Sequence, residues 1–214
     1  MRSISGFGKR MYIGIMMLLA GWGIMPLHAS AAAGEEVRAE LAFPTQGITW
    51  ITQGGGDGGI SVAGESLYKG KPVYTVTTGR KVSILDKSSR NWMVSLYDNK
   101  EIASASPHNG ELSFPLFVGK SWTASYFYED HQRQKSWDIL ARWKVEAFED
   151  VQVPAGRFKA FRLKSSPGQN NSVTATLWYA PELKMIIKRI SERDSSHYLG
   201  AGSSVTELME YLPH

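Results

Sequence analysis

Apolar and polar side chains alternate strictly along the middle of the chain. Every second position is apolar in the series Trp137, Ile139, Ala141, Trp143, Val145 and Ala147. The charged residues of the same stretch fall on the other parity, at Asp138, Arg142, Lys144 and Glu146. A period of two places one set on each face of a β-strand, so the pattern predicts a strand with a buried, aromatic face. Pro154 and Gly156 then favour a turn, and 158–164 can run back as the second strand of a long β-hairpin.

Strand-like segments recur on both sides of this hairpin, at a spacing of about ten residues. They lie at 48–52, 73–78, 81–86, 91–97, 101–105, 121–129, 173–180, 185–190 and 203–212, the last being a strand or a short helix. Apolar positions change parity within 158–163, which predicts a bulge near Ala160. No segment shows a convincing helical stripe. The pattern predicts an all-β fold: a single strongly curved antiparallel sheet, half-barrel or open barrel, with an aromatic core.

The first 31 residues have the pattern of a secretory signal peptide. A basic start precedes an uncharged, mostly apolar run over 11–25, and the small-residue cleavage signal Ala29-Ser30-Ala31 follows. A membrane anchor is the alternative, but the run is short for a span and small residues follow it directly. We therefore predict a cleaved signal over 1–31, a single all-β domain over 32–214, and a periplasmic or secreted location.

The exported part of the chain is close to neutral. The whole chain carries +4 at pH 7, but Arg2, Lys9 and Arg10 leave with the signal, so the net charge falls to about +1. No basic run remains to follow a nucleic-acid backbone, so we expect no nucleic-acid partner. No second apolar run reaches spanning length, so we expect no membrane span after cleavage. Composition leaves the oligomeric state open.

Metal and thiol chemistry have no support in the composition. The chain has no cysteine, which excludes disulfides, thiolate metal sites and acylation of an N-terminal cysteine. No histidine of the exported part lies two or four residues from another, so a local metal-binding pair is missing. We predict no metal site and no cofactor.

Three short matches to catalytic motifs are incomplete. Gly119-Lys120-Ser121 resembles the end of a phosphate-binding loop, but Phe114 stands where the first glycine is required. Gly59-Ile60-Ser61-Val62-Ala63 lacks the last glycine of a nucleophile elbow. Ser66-Leu67-Tyr68-Lys69 has the Ser/Lys spacing of penicillin-recognising enzymes without their other motifs. We therefore predict no catalytic residue.

Aromatic residues on the predicted strands are the unusual feature of this sequence. The candidate ligand-binding residues are Trp92, Trp122, Tyr126, Trp137, Trp143, Trp178 and Tyr179. Large rings on inward faces fill the core of a curved sheet, which is the simpler interpretation. The functional interpretation is that these rings line an apolar groove for a lipid-like or peptide ligand.

Three motifs carry a resemblance to known proteins. They are Pro-Leu-Phe-Val-Gly-Lys-Ser-Trp at 115–122, Val-Pro-Ala-Gly-Arg-Phe at 153–158 and Trp-Tyr-Ala-Pro at 178–181. In this order they resemble exported bacterial families of unknown function, including the TapB-like proteins. The resemblance implies a curved antiparallel sheet, similar in architecture to the lipoprotein-carrier half-barrels of the LolA and LolB kind. No catalytic residue can be carried over from these families to this chain.

These observations favour an exported, non-enzymatic protein. Its concave aromatic face would bind an apolar or envelope-derived ligand or a protein partner. One alternative is a hydrolase of envelope polymers that uses two carboxylates placed by the fold. Another is a structural or adhesion module that assembles through exposed edge strands.

Overall fold

A computed structural model describes residues 36–45, 47–54, 59–168 and 171–212. The predicted signal peptide at 1–31 lies outside these residues. The described part contains twelve strands and no helix. In chain order the strands are β1 (Thr49–Gln53), β2 (Gly59–Tyr68), β3 (Lys71–Thr78), β4 (Lys81–Asp86), β5 (Trp92–Tyr97), β6 (Lys100–Ser106), β7 (Ser121–Asp130), β8 (Lys135–Val153), β9 (Gly156–Pro167), β10 (Val173–Ala180), β11 (Met185–Arg193) and β12 (Gly202–Leu212).

Each strand pairs antiparallel with its neighbour in sequence, and β1 pairs with both β2 and β12. The single curved antiparallel sheet predicted from the sequence is confirmed. Pairing of β1 with β12 carries the curvature further and closes the sheet into a ring of uneven outline. Within the described residues no helix has the length and apolar character to cross a membrane.

The predicted central hairpin is formed by β8 and β9, which turn at Pro154-Ala155. Gly156 begins β9 with a φ of 139°, a conformation that other residues rarely adopt. Pairing of β7 with β8 places Trp122 opposite Trp143 and Tyr128 opposite Trp137. The aromatic positions of these strands therefore share the inner face of the ring, as their alternation predicts.

The bulge predicted near Ala160 is wrong. Pairing continues through that residue, and the register shift lies in β8 between Val145 and Ala147. Both parities of β9 are buried because its two faces serve different cores. Phe161 belongs to the hydrophobic cluster that contains Trp143, whereas Ala160 belongs to the cluster that contains Trp50.

One strand is missing from the sequence prediction, and one open choice is decided. The sequence indicated no strand between Gly54 and Val73, yet β2 occupies Gly59–Tyr68. Its signal is weak because Gly64 interrupts it and Leu67 is exposed on the outer face. The segment at 203–212, open between strand and helix, is the strand β12.

Segments 36–45 and 107–120 close one end of the ring, and we call them the closing segments. They meet in a backbone bridge between Ala39 and Leu116, with N–O distances of 2.9 and 2.8 Å. Leu116 is fully buried. Asn91 fixes the second segment, since its side chain donates to Leu112 O at 2.8 Å and accepts from Leu112 N at 2.8 Å. This end is therefore filled by the chain's own residues.

Candidate ligand-binding cavity

A cavity of about 660 Å³ lies inside the ring, and we call it the lumen cavity. Inward positions of β1, β4 and β11 give it apolar walls, including Trp50, Leu85 and Ile187. Trp50 and Ile187 belong to one buried cluster and Leu85 packs against it, so the three side chains meet inside the ring. Ser83 and Ser95, paired across β4 and β5, supply small polar groups to the same wall. The cavity is therefore amphipathic.

Several polar groups of the wall are already hydrogen bonded within the protein. Ser61 Oγ and Thr78 Oγ1 are 2.7 Å apart. Trp92 Nε1 donates to Ser95 Oγ at 3.0 Å, and Asn109 Oδ1 accepts from Trp92 N at 3.1 Å. Such bonds fix the shape of the wall before a ligand arrives, which lowers the cost of binding.

Two ion pairs contribute to the lining of the lumen cavity. Arg189 on β11 donates from Nη1 and Nη2 to the two carboxylate oxygens of Glu111 in the closing segments, at 2.9 and 2.6 Å. This forked geometry is the strongest form of arginine–carboxylate contact. Lys188 binds Glu207 on β12 at 2.8 Å. Each of these carboxylates is therefore neutralised by a cation.

Arg90 is the third charged group of interest and has a different setting. It lies in the turn between β4 and β5, where its φ is +64°, and it lines the lumen cavity. Nη1 donates to Ala42 O at 2.7 Å and to Tyr179 OH at 3.4 Å. The guanidinium stacks over the rings of Phe43 and Tyr179, at 5.6 and 5.5 Å from their centroids.

Tyr179 and Tyr74 are the titratable groups that act on Arg90, and no carboxylate of the described residues is among them. Burial lowers the pKa of Arg90, and the nearby hydroxyls of Tyr179 and Tyr74 oppose that shift only in part. An arginine nevertheless keeps its proton in proteins. The wall of the cavity therefore carries a positive charge that no acid of the described chain balances.

The structure separates the seven aromatic residues predicted as a ligand site. Trp92 and Tyr126 line the lumen cavity. Trp143 and Tyr179 are buried in the core, at 4% and 1% exposure. Trp122 stacks on Trp143 with centroids 6.3 Å apart and borders a second cavity of about 580 Å³ beside the closing segments.

Trp137 and Trp178 complete the set at two other places. Trp137 lines a third cavity of about 600 Å³ together with Tyr126 and Tyr128. Trp178 lies on the opposite face of β10 from the inward Tyr179, and its Nε1 donates to Glu149 at 3.0 Å. The predicted residues therefore do not form one continuous surface.

An aromatic stack borders the third cavity. Trp137 stacks on Tyr128 at 6.0 Å and on Tyr198 at 4.9 Å. Tyr198 OH donates to Asp130 at 2.9 Å, and Arg133 donates to the same carboxylate at 3.0 Å. Burial alone would raise the pKa of Asp130, but these hydrogen bonds outweigh it and hold that pKa below its usual value.

The incomplete motifs have structural roles here. Lys120 Nζ, from Gly119-Lys120-Ser121, donates to Pro115 O at 2.9 Å and to Ser113 O, both in the closing segments. Ser61 lies within β2, bonded to Thr78. Arg90, in contrast, belongs to none of the sequence motifs. It follows the polar run Asp86-Lys87-Ser88-Ser89, which is typical of an exposed turn, so no sequence signal marks its inward position.

Comparison with known proteins gives structural matches only. No family model matches the chain, and no curated protein matches it. A "putative lipoprotein" from Parabacteroides distasonis matches with 13% identity and a TM-score of 0.34, over 81% of this chain and 99% of that one. The hypothetical lipoprotein YmcC from Escherichia coli matches with 10% identity and a TM-score of 0.44, over 80% and 90%.

These two similarities are too low to define what the present chain does. The TapB-like resemblance and the likeness to LolA and LolB carriers receive no specific support from them. Both stay hypotheses that rest on the sequence motifs alone.

Proposed function

We propose that this chain is an exported, non-enzymatic binding protein that holds one small amphipathic ligand in the lumen cavity. The main support for this proposal is the lumen cavity itself, which has a volume of about 660 Å³. Ligand sites in proteins occupy about 300–1,000 Å³ and combine apolar walls with a few fixed polar groups. Trp50, Leu85 and Ile187 supply the apolar part, and Ser83 supplies a polar group.

Export is the second part of the proposal. It rests on the signal-peptide pattern at 1–31. A periplasmic or secreted carrier related to the TapB-like or LolA/LolB-type proteins would meet lipid-derived ligands in the cell envelope. Such a carrier needs no catalytic group.

The alternatives have less support. A hydrolase with two carboxylates needs one of them protonated and free to act as an acid. Glu111 and Glu207, which line the lumen cavity, are each held in an ion pair. Assembly through edge strands needs an unpaired strand edge, and each of the twelve described strands pairs on both sides.

Blocking the cavity tests the proposal. Ser83 points into the lumen cavity from β4, and Ser83→Phe would fill part of it. Thr77 on the neighbouring strand β3 is exposed, so Thr77→Phe adds the same ring outside. Calorimetric titration with dodecanoate should show binding to the wild type and to Thr77→Phe, and at least tenfold weaker binding to Ser83→Phe. Equal affinity in all three proteins would refute a site in the lumen.

A further inference from the structure

We propose that Arg90 anchors the acidic group of the ligand, so that the lumen cavity selects an amphipath with one anionic head and an apolar body. This inference rests on the proposed function and names its ligand class. It starts from the contrast between Arg90 and the other cations of the wall. Lys188 and Arg189 each have a carboxylate partner, and Lys81 also has an interaction partner.

An unbalanced charge inside a protein is costly unless something compensates it. Burying a charged group without an opposite charge or a full set of hydrogen bonds disfavours the folded state. Arg90 is partly buried, and Ala42 and the rings of Phe43 and Tyr179 hold it there. A bound anion would supply the missing compensation.

The guanidinium of Arg90 also has hydrogen-bond donors that no described residue uses. It carries five N–H donors, yet the side-chain hydrogen bonds of Arg90 to the described residues all come from Nη1. Nε and Nη2 have no hydrogen-bond partner among the described residues. Neither is a buried nitrogen without a partner, so both can be reached by a ligand. Those two positions form the edge that binds a carboxylate or phosphate through two parallel hydrogen bonds.

The position of Arg90 sets the orientation of the ligand. Arg90 belongs to the end of the ring that the closing segments fill, since it contacts Ala42 and its neighbour Asn91 holds Leu112. Apolar groups such as Trp50, Leu85 and Ile187 line the same cavity. An acidic head would therefore lie against the filled end, with the apolar body extending along the ring.

Three probes of equal chain length test this: dodecanoate, dodecyl phosphate and the neutral dodecanol. The wild type should bind at least one anionic probe about tenfold or more tightly than dodecanol, because a hydrogen bond to a charged group is worth that much. Comparison of the two anions identifies which acidic group fits. Arg90→Met should abolish the preference for the anion and leave dodecanol affinity within about twofold, and Arg90→Lys should restore part of it.

Arg80→Met is the matched control, because Arg80 pairs with Asp98 on the outer surface. It should keep the wild-type preference. Binding of all three probes with equal affinity would overturn the role of Arg90 while leaving the lumen site intact. Failure of every probe to bind would instead count against the proposed function. Equal loss of all probes in Arg90→Met would show that Arg90 only supports the fold. If Arg90→Met does not fold, the preference of the wild type decides.

Discussion

Asn91 should control the stability of the closed end, and the structure allows the size of its contribution to be worked out. Its side chain is 2% exposed and bonds both backbone groups of Leu112, which is itself 6% exposed. Asn91→Ala would leave one buried N–H and one buried C=O without partners. Each such group costs about 1–3 kcal/mol, which gives a range of about 2–6 kcal/mol.

The lower part of that range is expected, because Asn91 also lines the lumen cavity. Water entering from the cavity can replace part of the lost amide and satisfy one of the two groups. We therefore predict that Asn91→Ala lowers the free energy of unfolding by about 2–3 kcal/mol. Loop 107–120 should also become a site of early proteolysis, since its main anchor is lost.

Urea unfolding followed by tryptophan fluorescence measures this change. Gln132→Ala is the control, because Gln132 is an exposed amide in the turn after β7, and its removal should cost less than about 0.5 kcal/mol. A loss in Asn91→Ala no larger than in Gln132→Ala would refute the argument that the two bonds to Leu112 hold the closing segment.

Three further predictions concern groups around the cavities. Glu111→Gln and Arg189→Met should each destabilise the protein by about 1–3 kcal/mol, and the double variant by less than their sum, because each single change strands one partner of a half-buried pair. The folded protein lowers the pKa of Asp130 below its ordinary value of 3.8. The ionised carboxylate therefore stabilises the fold above pH 3.8, and this stabilisation is lost as the pH falls through the lowered pKa. Asp130→Asn should weaken the dependence of stability on pH in this acid range. Gly110→Ala should cost about 1–3 kcal/mol, because its φ is +63° and the new Cβ would lie 2.5 Å from Ala124 Cβ.

Unfolding curves at several pH values test all three. Additive losses for Glu111 and Arg189 would show that the pair is not coupled. An unchanged acid limb in Asp130→Asn would mean that its hydrogen bonds do not contribute to acid stability. Gly110→Ala combined with Ala124→Gly should recover part of the loss, and no recovery would show that backbone strain rather than the clash dominates.

Strict alternation made much of the fold predictable. The central hairpin follows from the two-residue period in 137–147 and the turn at Pro154, and both are local properties of the chain. The sequence does not predict strand β2, because Gly64 and the exposed Leu67 interrupt its alternation of apolar and polar residues. Closure of the ring also lies beyond local patterns, since pairing of β1 with β12 joins residues from opposite ends of the chain.

The candidate site was less predictable for a physical reason. Aromatic side chains fill cores and bind ligands with the same chemistry, so Trp92, which lines the lumen cavity, and Trp143, which is core, look alike in the sequence. Arg90 is the opposite case. An arginine in a polar turn normally faces water, and only the closing segments bring Ala42 and Phe43 over it.

The most direct test of a ligand in the lumen uses the cell's own material. The processed protein, Thr77→Phe and Ser83→Phe are each incubated with an envelope lipid extract, repurified and weighed by native mass spectrometry. The account predicts one bound small molecule per chain in the first two proteins and none in Ser83→Phe. No bound molecule in the first two, or the same occupancy in all three, would contradict it.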